Sequence, residues 1–237
     1  IRREDQDLLA YESHQKAAAA YARGFYSDLV MPLRGLDKDN ILRPDTSLEK
    51  LATLKPAFDK RSGKGTLTAG NSTNLSDGAS AALLSSEAWA QANGKEIQAY
   101  LVDAQVAAVD FVAGEGLLMA PAWAVARLLK RNNLKLQDFD FYEIHEAFAA
   151  QVLCTLKAWE SEEFCKTKLG MDGALGSIDR SKLNVVGSSL ALGHPFAATG
   201  ARIVATAAKL LKEKGQGRVL ISICTAGGMG VAAIVER

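Results

Sequence analysis

Apolar positions recur at helical spacing between residues 5 and 23, where Leu8, Tyr11, Ala18, Tyr21 and Ala22 share one face and Gly24 supplies a stop. Residues 31–64 have no period and are broken by Pro32, Gly35, Pro44, Pro56 and Gly63, so they read as loop. Thr66–Ala69 reads as a short strand entering the polar turn Gly70-Asn71-Ser72-Thr73-Asn74. The alanine-rich run Asp77–Asn93 then reads as a helix closed by Gly94.

From Lys95 the pattern becomes regular. Strands are expected at Ile97–Val106, Phe139–Ile144, Leu183–Val186, Arg218–Cys224 and Val231–Val235. Helices are expected at Pro121–Arg131, at Glu146–Trp159 with Phe148, Val152, Leu156 and Trp159 on one stripe, and from Pro195 to Lys214, ended by Gly215. Thr225–Gly230 joins the last two strands as a glycine-rich hairpin. The order βαβαβαββ implies an α/β fold with a mixed, mostly parallel sheet. Such sheets bind ligands beyond the carboxyl ends of their strands.

Composition narrows the function classes. With 28 Lys+Arg against 27 Asp+Glu in 237 residues, the net charge is +1, which offers no footprint for nucleic acid or anionic lipid. No membrane span and no secretory leader are visible, so a cytoplasmic location is expected. Cys154, Cys165 and Cys224 lack metal-ligand spacing, so neither a metal site nor a disulfide framework is expected.

The reactive residues cluster by topology. His145 and His194 fall just past the second and third expected strands of the regular unit, and Cys224 ends the fourth. Three capable side chains from distant positions thus meet at one sheet edge, as an active site on this architecture requires.

At those residues the chain resembles the thiolases. His145-Glu146-Ala147-Phe148-Ala149, the run from Asn184 through Gly193-His194-Pro195, and Cys224-Thr225-Ala226-Gly227-Gly228 resemble the family's three carboxyl-domain signatures in order. Gly70–Asn74 with Asp77-Gly78-Ala79 is similar to its coenzyme A loop and following helix. The resemblance implies a thiolase-like fold in which residues 1–64 are part of the substrate-binding loop domain, 65–94 return to the amino-terminal domain and 95–237 form the carboxyl-terminal domain. It implies acyl transfer: thiolytic cleavage of 3-oxoacyl-CoA, or the reverse Claisen condensation. Coenzyme A is then a substrate, with no tightly bound cofactor.

The resemblance also assigns roles. His194 would activate a nucleophilic cysteine and help hold the thioester oxyanion, its second proton disfavoured by the helix that Pro195 opens. Cys224 would exchange the proton on the substrate carbon, helped by a thiol pKa near 8.5. The amide of Ala226, where many members have glycine, would serve a second oxyanion hole if its φ is negative. Thr73 would contact the pantetheine arm. His145 stands where many thiolases have asparagine, and His-Glu-Ala-Phe is similar to the thiolases of fatty-acid β-oxidation complexes. That implies longer acyl chains, a homodimer or tetramer, and a hydratase/dehydrogenase partner subunit.

One absence cuts across these roles. No cysteine precedes His145, so the resemblance implies a thiolase chain lacking the half that holds the nucleophile, inactive alone. The alternative is a thiolase-fold fragment that serves as a binding or assembly module. A ketoacyl synthase shares the doubled fold but has no role for Cys224 before a glycine hairpin. Gly200, costly inside a helix, is expected to mark close packing.

Overall fold

In the computed structural model, which describes all 237 residues, strand β3 (Arg218–Thr225) lies inside a four-stranded mixed sheet of order β1-β4-β3-β2. β2 (Phe141–Ile144) runs parallel to β3, with Ile144 opposite Ser222. β4 (Met229–Glu236) runs antiparallel to β3, and β1 (Tyr100–Ala108) antiparallel to β4 at the edge. The period of two along β3 and β4 sorts two cores. Leu220, Ala232 and Ile234 enter the core built with α4 (Ala120–Asn132) and α5 (Ala149–Glu160), whereas Val219, Ile221, Ala233 and Val235 pack on Ile203, Ala207 and Leu211 of α8 (Thr199–Lys214). The sheet is therefore covered on both faces. Trp159 is fully buried and its Nε1 donates to the Ala122 carbonyl at 3.4 Å, joining α5 to α4.

Helix α1 (Arg3–Ala22) forms as expected but presents a different face. Leu8 is 41% exposed, while Gln6, Leu9, Ala10, Ser13, Ala17 and Ala20 are buried. The reason is polar: Ser13 Oγ donates to the buried carboxylate of Glu146 at 2.7 Å. An apolar-stripe reading is blind to a helix that docks through a hydroxyl.

Several expected elements shrink. The strand at Leu183–Val186 is reduced to one bridge between Tyr142 and Leu183, because the Asn184 side chain replaces the ladder. Its Oδ1 accepts from Ile144 N at 2.8 Å and its Nδ2 donates to Ile144 O at 2.9 Å, while φ of +45° turns the chain away. At Asp77–Asn93 only α3 (Glu87–Ala92) is helical. Leu83 and Leu84 are 72% and 67% exposed, and alanine propensity alone does not hold a helix that buries nothing. Thr68 makes a single bridge with Pro56 in place of the strand at 66–69. Glu146 and Phe148 precede α5 because the Glu146 carboxylate is drawn elsewhere, leaving Val152, Leu156 and Trp159 buried on the helix. The third helix starts at Thr199, after a turn in which Ala197 has φ +64°. A Cβ at Gly200 would meet nothing within 4 Å, so close packing is not its reason.

The short helices are α2 (Leu48–Ala52), α6 (Glu162–Thr167), capped by Ser161 Oγ on Phe164 N, and α7 (Ser189–Leu192). Ahead of α7, Gly187 has φ +77°, and a Cβ there would lie 2.5 Å from Ala17 Cβ and 2.7 Å from the Ser13 carbonyl oxygen. Gly187→Ala is therefore expected to destabilise the protein by about 2–4 kcal/mol, combining backbone strain with overpacking. A urea midpoint within error of the parent would refute this.

Candidate active site

The site forms where β2 and β3 end side by side. One further ladder bond, His145 N to Ser222 O at 2.9 Å, carries the chain past Ile144 and turns the His145 ring inward. The ring is completely buried. Its Nδ1 lies 2.7 Å from Ser189 Oγ, and no protein group meets its Nε2. Its centroid is 4.3 Å from that of His194, tilted by 49°. Burial first, then the neighbouring His194 and Arg202, pushes its pKa down to about 3, so the ring is neutral.

His194 is held by the loop at residues 71–76. Its N–H donates to Asn74 O at 3.0 Å, and Leu75 bridges to it. Its Nδ1 lies 2.7 Å from Thr199 Oγ1, whose own proton goes to Pro195 O at 3.2 Å. Thr199 therefore accepts from Nδ1–H, leaving a lone pair on Nε2. That is the tautomer of a base. The expected helix-dipole cause needs correction, because the helix begins at Thr199. His194 is held below the usual histidine range by burial, seconded by the charge of Arg202.

Cys224, 4% exposed near the end of β3, departs from the expected thiol pKa. Burial pushes it up to about 12, opposed by backbone amides that include Ala147. At neutral pH it is a thiol with a proton to give. Beyond it, Gly227 and Gly228 take φ of +82° and +74°, while Ala226 is not among the residues of positive φ. The condition for an alanine there is met, and no backbone carbonyl engages the Ala226 amide.

Thr73 stands at the site's border. Its N–H donates to Ala147 O at 3.0 Å and its hydroxyl to Ser189 O at 2.7 Å. Its hydroxyl proton is thus committed within the protein. Cys165 donates to Ala158 O and Trp159 O, and Cys154 is half-buried in α5, so neither reaches the histidines. No cluster of three or more metal-ligating side chains is present.

Sequence reading missed the supports. Glu146, buried, accepts from Ser13 Oγ at 2.7 Å, Asn184 Nδ2 at 2.7 Å and Leu190 N at 3.2 Å, tying α1, the β2 end and α7 together. Burial raises its pKa against those three bonds. Ser189, Thr199 and Arg202 touch the histidines or one another, and only their spacing from His194 could have signalled them.

The family model for the thiolase C-terminal domain matches residues 95–237, and that for the thiolase N-terminal domain matches residues 1–88. The chain belongs to the thiolase family. It is 45% identical to a 3-ketoacyl-CoA thiolase of Shewanella loihica and 45% identical to one of Serratia proteamaculans, each alignment covering 100% of this chain and 55% of the relative. The crystal structure of the Bacillus anthracis acetyl-CoA acetyltransferase matches with a TM-score of 0.82 at 37% identity, over 100% of this chain and 56% of that one. The chain thus spans about half the length of the curated thiolases it matches. Within this thiolase chain, the His145–His194 pair and Cys224 occupy the carboxyl end of the only parallel strand pair. A surface depression between Asp140, Lys214, Arg218 and Glu236 lies at the opposite end of β3 and β4, where the charges pair with each other.

Proposed function

We propose that this chain supplies the proton-handling half of a thiolase site that cleaves 3-oxoacyl-CoA with CoA, or runs the reverse condensation. The observation that carries this reading is a neutral His194 with a free Nε2 lone pair, set against a neutral His145 at the same sheet end as the protonated thiol of Cys224. His194 Nε2 takes the proton of a cysteine thiol supplied from outside this chain, and the resulting thiolate attacks the 3-oxo carbon. The bond between the 2- and 3-carbons breaks, its electron pair leaving as the acetyl-CoA enolate. Cys224 gives its proton to that carbon. The Cys224 thiolate then takes the proton of the incoming CoA thiol, whose sulfur accepts the acyl group. His194 returns its proton to the released cysteine, and acetyl-CoA and the shortened acyl-CoA result.

The division at residues 64 and 94 belongs to the same proposal; the change of matching domain model between residues 88 and 95 supports the second boundary, while the first rests on the resemblance alone. So do the Ala226 amide as an oxyanion donor, Thr73 beside the coenzyme arm, and a preference for longer acyl chains. Homodimeric or tetrameric assembly and a β-oxidation partner subunit belong to it too. Exposed apolar groups, among them Leu83 at 72%, Val106 at 60% and Val112 at 85%, support packing against further protein.

Cleavage of acetoacetyl-CoA and of a long-chain 3-oxoacyl-CoA by the complete protein tests this reading. The 237-residue chain alone is expected to show no turnover, and activity from it would overturn the assignment. In the complete protein, Cys224→Ser should suppress thiolysis while sparing acylation of the nucleophile, and His194→Ala should abolish both by about a hundredfold or more. Equal loss of acylation in the two variants would remove Cys224 from the proton path.

A further inference from the structure

The geometry points to Ser189 and Arg202 as positioning residues that fix the His145 tautomer, keeping its proton on Nε2 as a donor aimed into the site. This rests on the thiolase reading for its purpose, but not for its geometry. The Arg202 guanidinium can only donate, and its Nη2 gives a hydrogen to Ser189 Oγ at 2.8 Å. That leaves the Ser189 hydroxyl proton to place. Ser189 is completely buried, and the one acceptor within reach of its hydroxyl is His145 Nδ1 at 2.7 Å. Sending the proton elsewhere would strand a buried donor. Nδ1 is therefore the acceptor, and the ring proton resides on Nε2.

The relay runs Arg202 to Ser189 to His145, each member donating to the next. It ends on Nε2–H, which is buried and met by no protein group, in a ring 4.3 Å from His194. An unmatched donor in such a place suits charge that develops during reaction. Thr199 imposes the opposite tautomer on His194, so two neighbouring rings, their centroids 4.3 Å apart, carry a donor on one Nε2 and an acceptor on the other. The relay is itself held through Ser189, whose carbonyl accepts from Thr73 Oγ1 at 2.7 Å, while Nη2 is the group by which the Arg202 guanidinium bonds within the protein, its buried Nε and Nη1 meeting no partner. Arg202 faces Glu143, a buried carboxyl with no partner on either oxygen.

Nitrogen-15 spectra of the complete protein labelled at histidine test the relay directly. In the parent, His145 is expected to show a protonated Nε2 and a bare Nδ1; the reverse pattern overturns the inference whatever the turnover. Ser189→Asp places an acceptor-only group at Nδ1 and should move the proton to Nδ1, with thiolysis falling about a hundredfold and KM little changed. Ser189→Thr keeps the hydroxyl and should keep both the Nε2 proton and most of the activity. A His145 that stays protonated on Nε2 in Ser189→Asp shows that Ser189 does not set the tautomer. If the tautomers follow these expectations while the complete parent cleaves no 3-oxoacyl-CoA, the relay stands and the thiolysis proposal fails.

Discussion

His145→Ala in the complete protein is expected to lower turnover about a hundredfold to a thousandfold with little change in KM, the usual cost of removing one oxyanion donor. The expectation comes from the buried, unmatched Nε2 of a ring whose other nitrogen is already engaged by Ser189. A donor that meets no partner at rest contributes mainly when negative charge appears on the substrate, so the loss should fall on kcat. His145→Asn is expected to restore much of the activity, because an amide N–H can be aimed at the same place. The competing view is that the ring only fills the sheet edge. Turnover per folded molecule, measured together with thermal stability, separates the two. A destabilised but fully active His145→Ala protein would remove the residue from the site.

The second large effect is on stability. All three histidines, His14, His145 and His194, are held below their ordinary pKa, mainly by burial; His14 is pushed down to about 4 and His145 to about 3. Arg43 adds to the effect at His14, whose Nδ1 accepts from Arg43 N at 3.2 Å. A group whose folded pKa is depressed contributes stability that is present above its unfolded pKa and is lost as pH falls toward its folded value. The window for these histidines therefore runs from about pH 6.5 downward. Glu143 acts in the opposite direction. Burial pushes it up to about 8, so its contribution is present below the ordinary glutamate range and is lost as pH rises through 8. Between roughly pH 6.5 and 4.5 His14 and His145 therefore draw protons on unfolding, while Glu143, Glu146 and Asp39, all raised by burial, release them and oppose the loss. As pH falls further the carboxyls cease to oppose, and the slope should steepen. Urea midpoints at pH 7, 5.5 and 4 give the answer. His145→Asn should lower the proton uptake on unfolding by close to one at pH 5.5, and a parent and variant with the same pH dependence would contradict the buried, neutral ring.

His145 and Cys224 are legible because each stands at a strand end that hydrophobic period reveals; His194 is legible as a reactive residue, but the strand and helix start expected on either side of it are not there. The supports of the three are not legible. Apolar neighbours point to a strand around Asn184, yet its side chain performs the backbone pairing that a strand would have made. Proline suits a first turn and so points to a helix start at Pro195, and the left-handed Ala197 that delays the helix has no sequence mark. Asp77–Ser86 carries helical composition without a surface to pack on, and composition does not report partners. Ser189 and Arg202 act by deciding where a proton sits, and that depends on distances of 2.7 and 2.8 Å between groups 44 and 13 residues apart in the chain.

The Glu146 carboxylate has a further consequence, for the order in which the molecule is assembled. Its bond from Ser13 spans 133 residues, and the bond from Ser188 N to Ser13 Oγ spans 175. Contacts of such separation are slow to close, because the loop entropy is lost before the contact returns anything. Helices α4 and α5 and the β3–β4 hairpin can form from near neighbours, whereas the docking of α1 on Glu146 and the pairing of β1 with β4, which sets Tyr100 opposite Glu236, both close long loops. The supports of the site and the edge of its sheet thus depend on the same kind of late, distant contact.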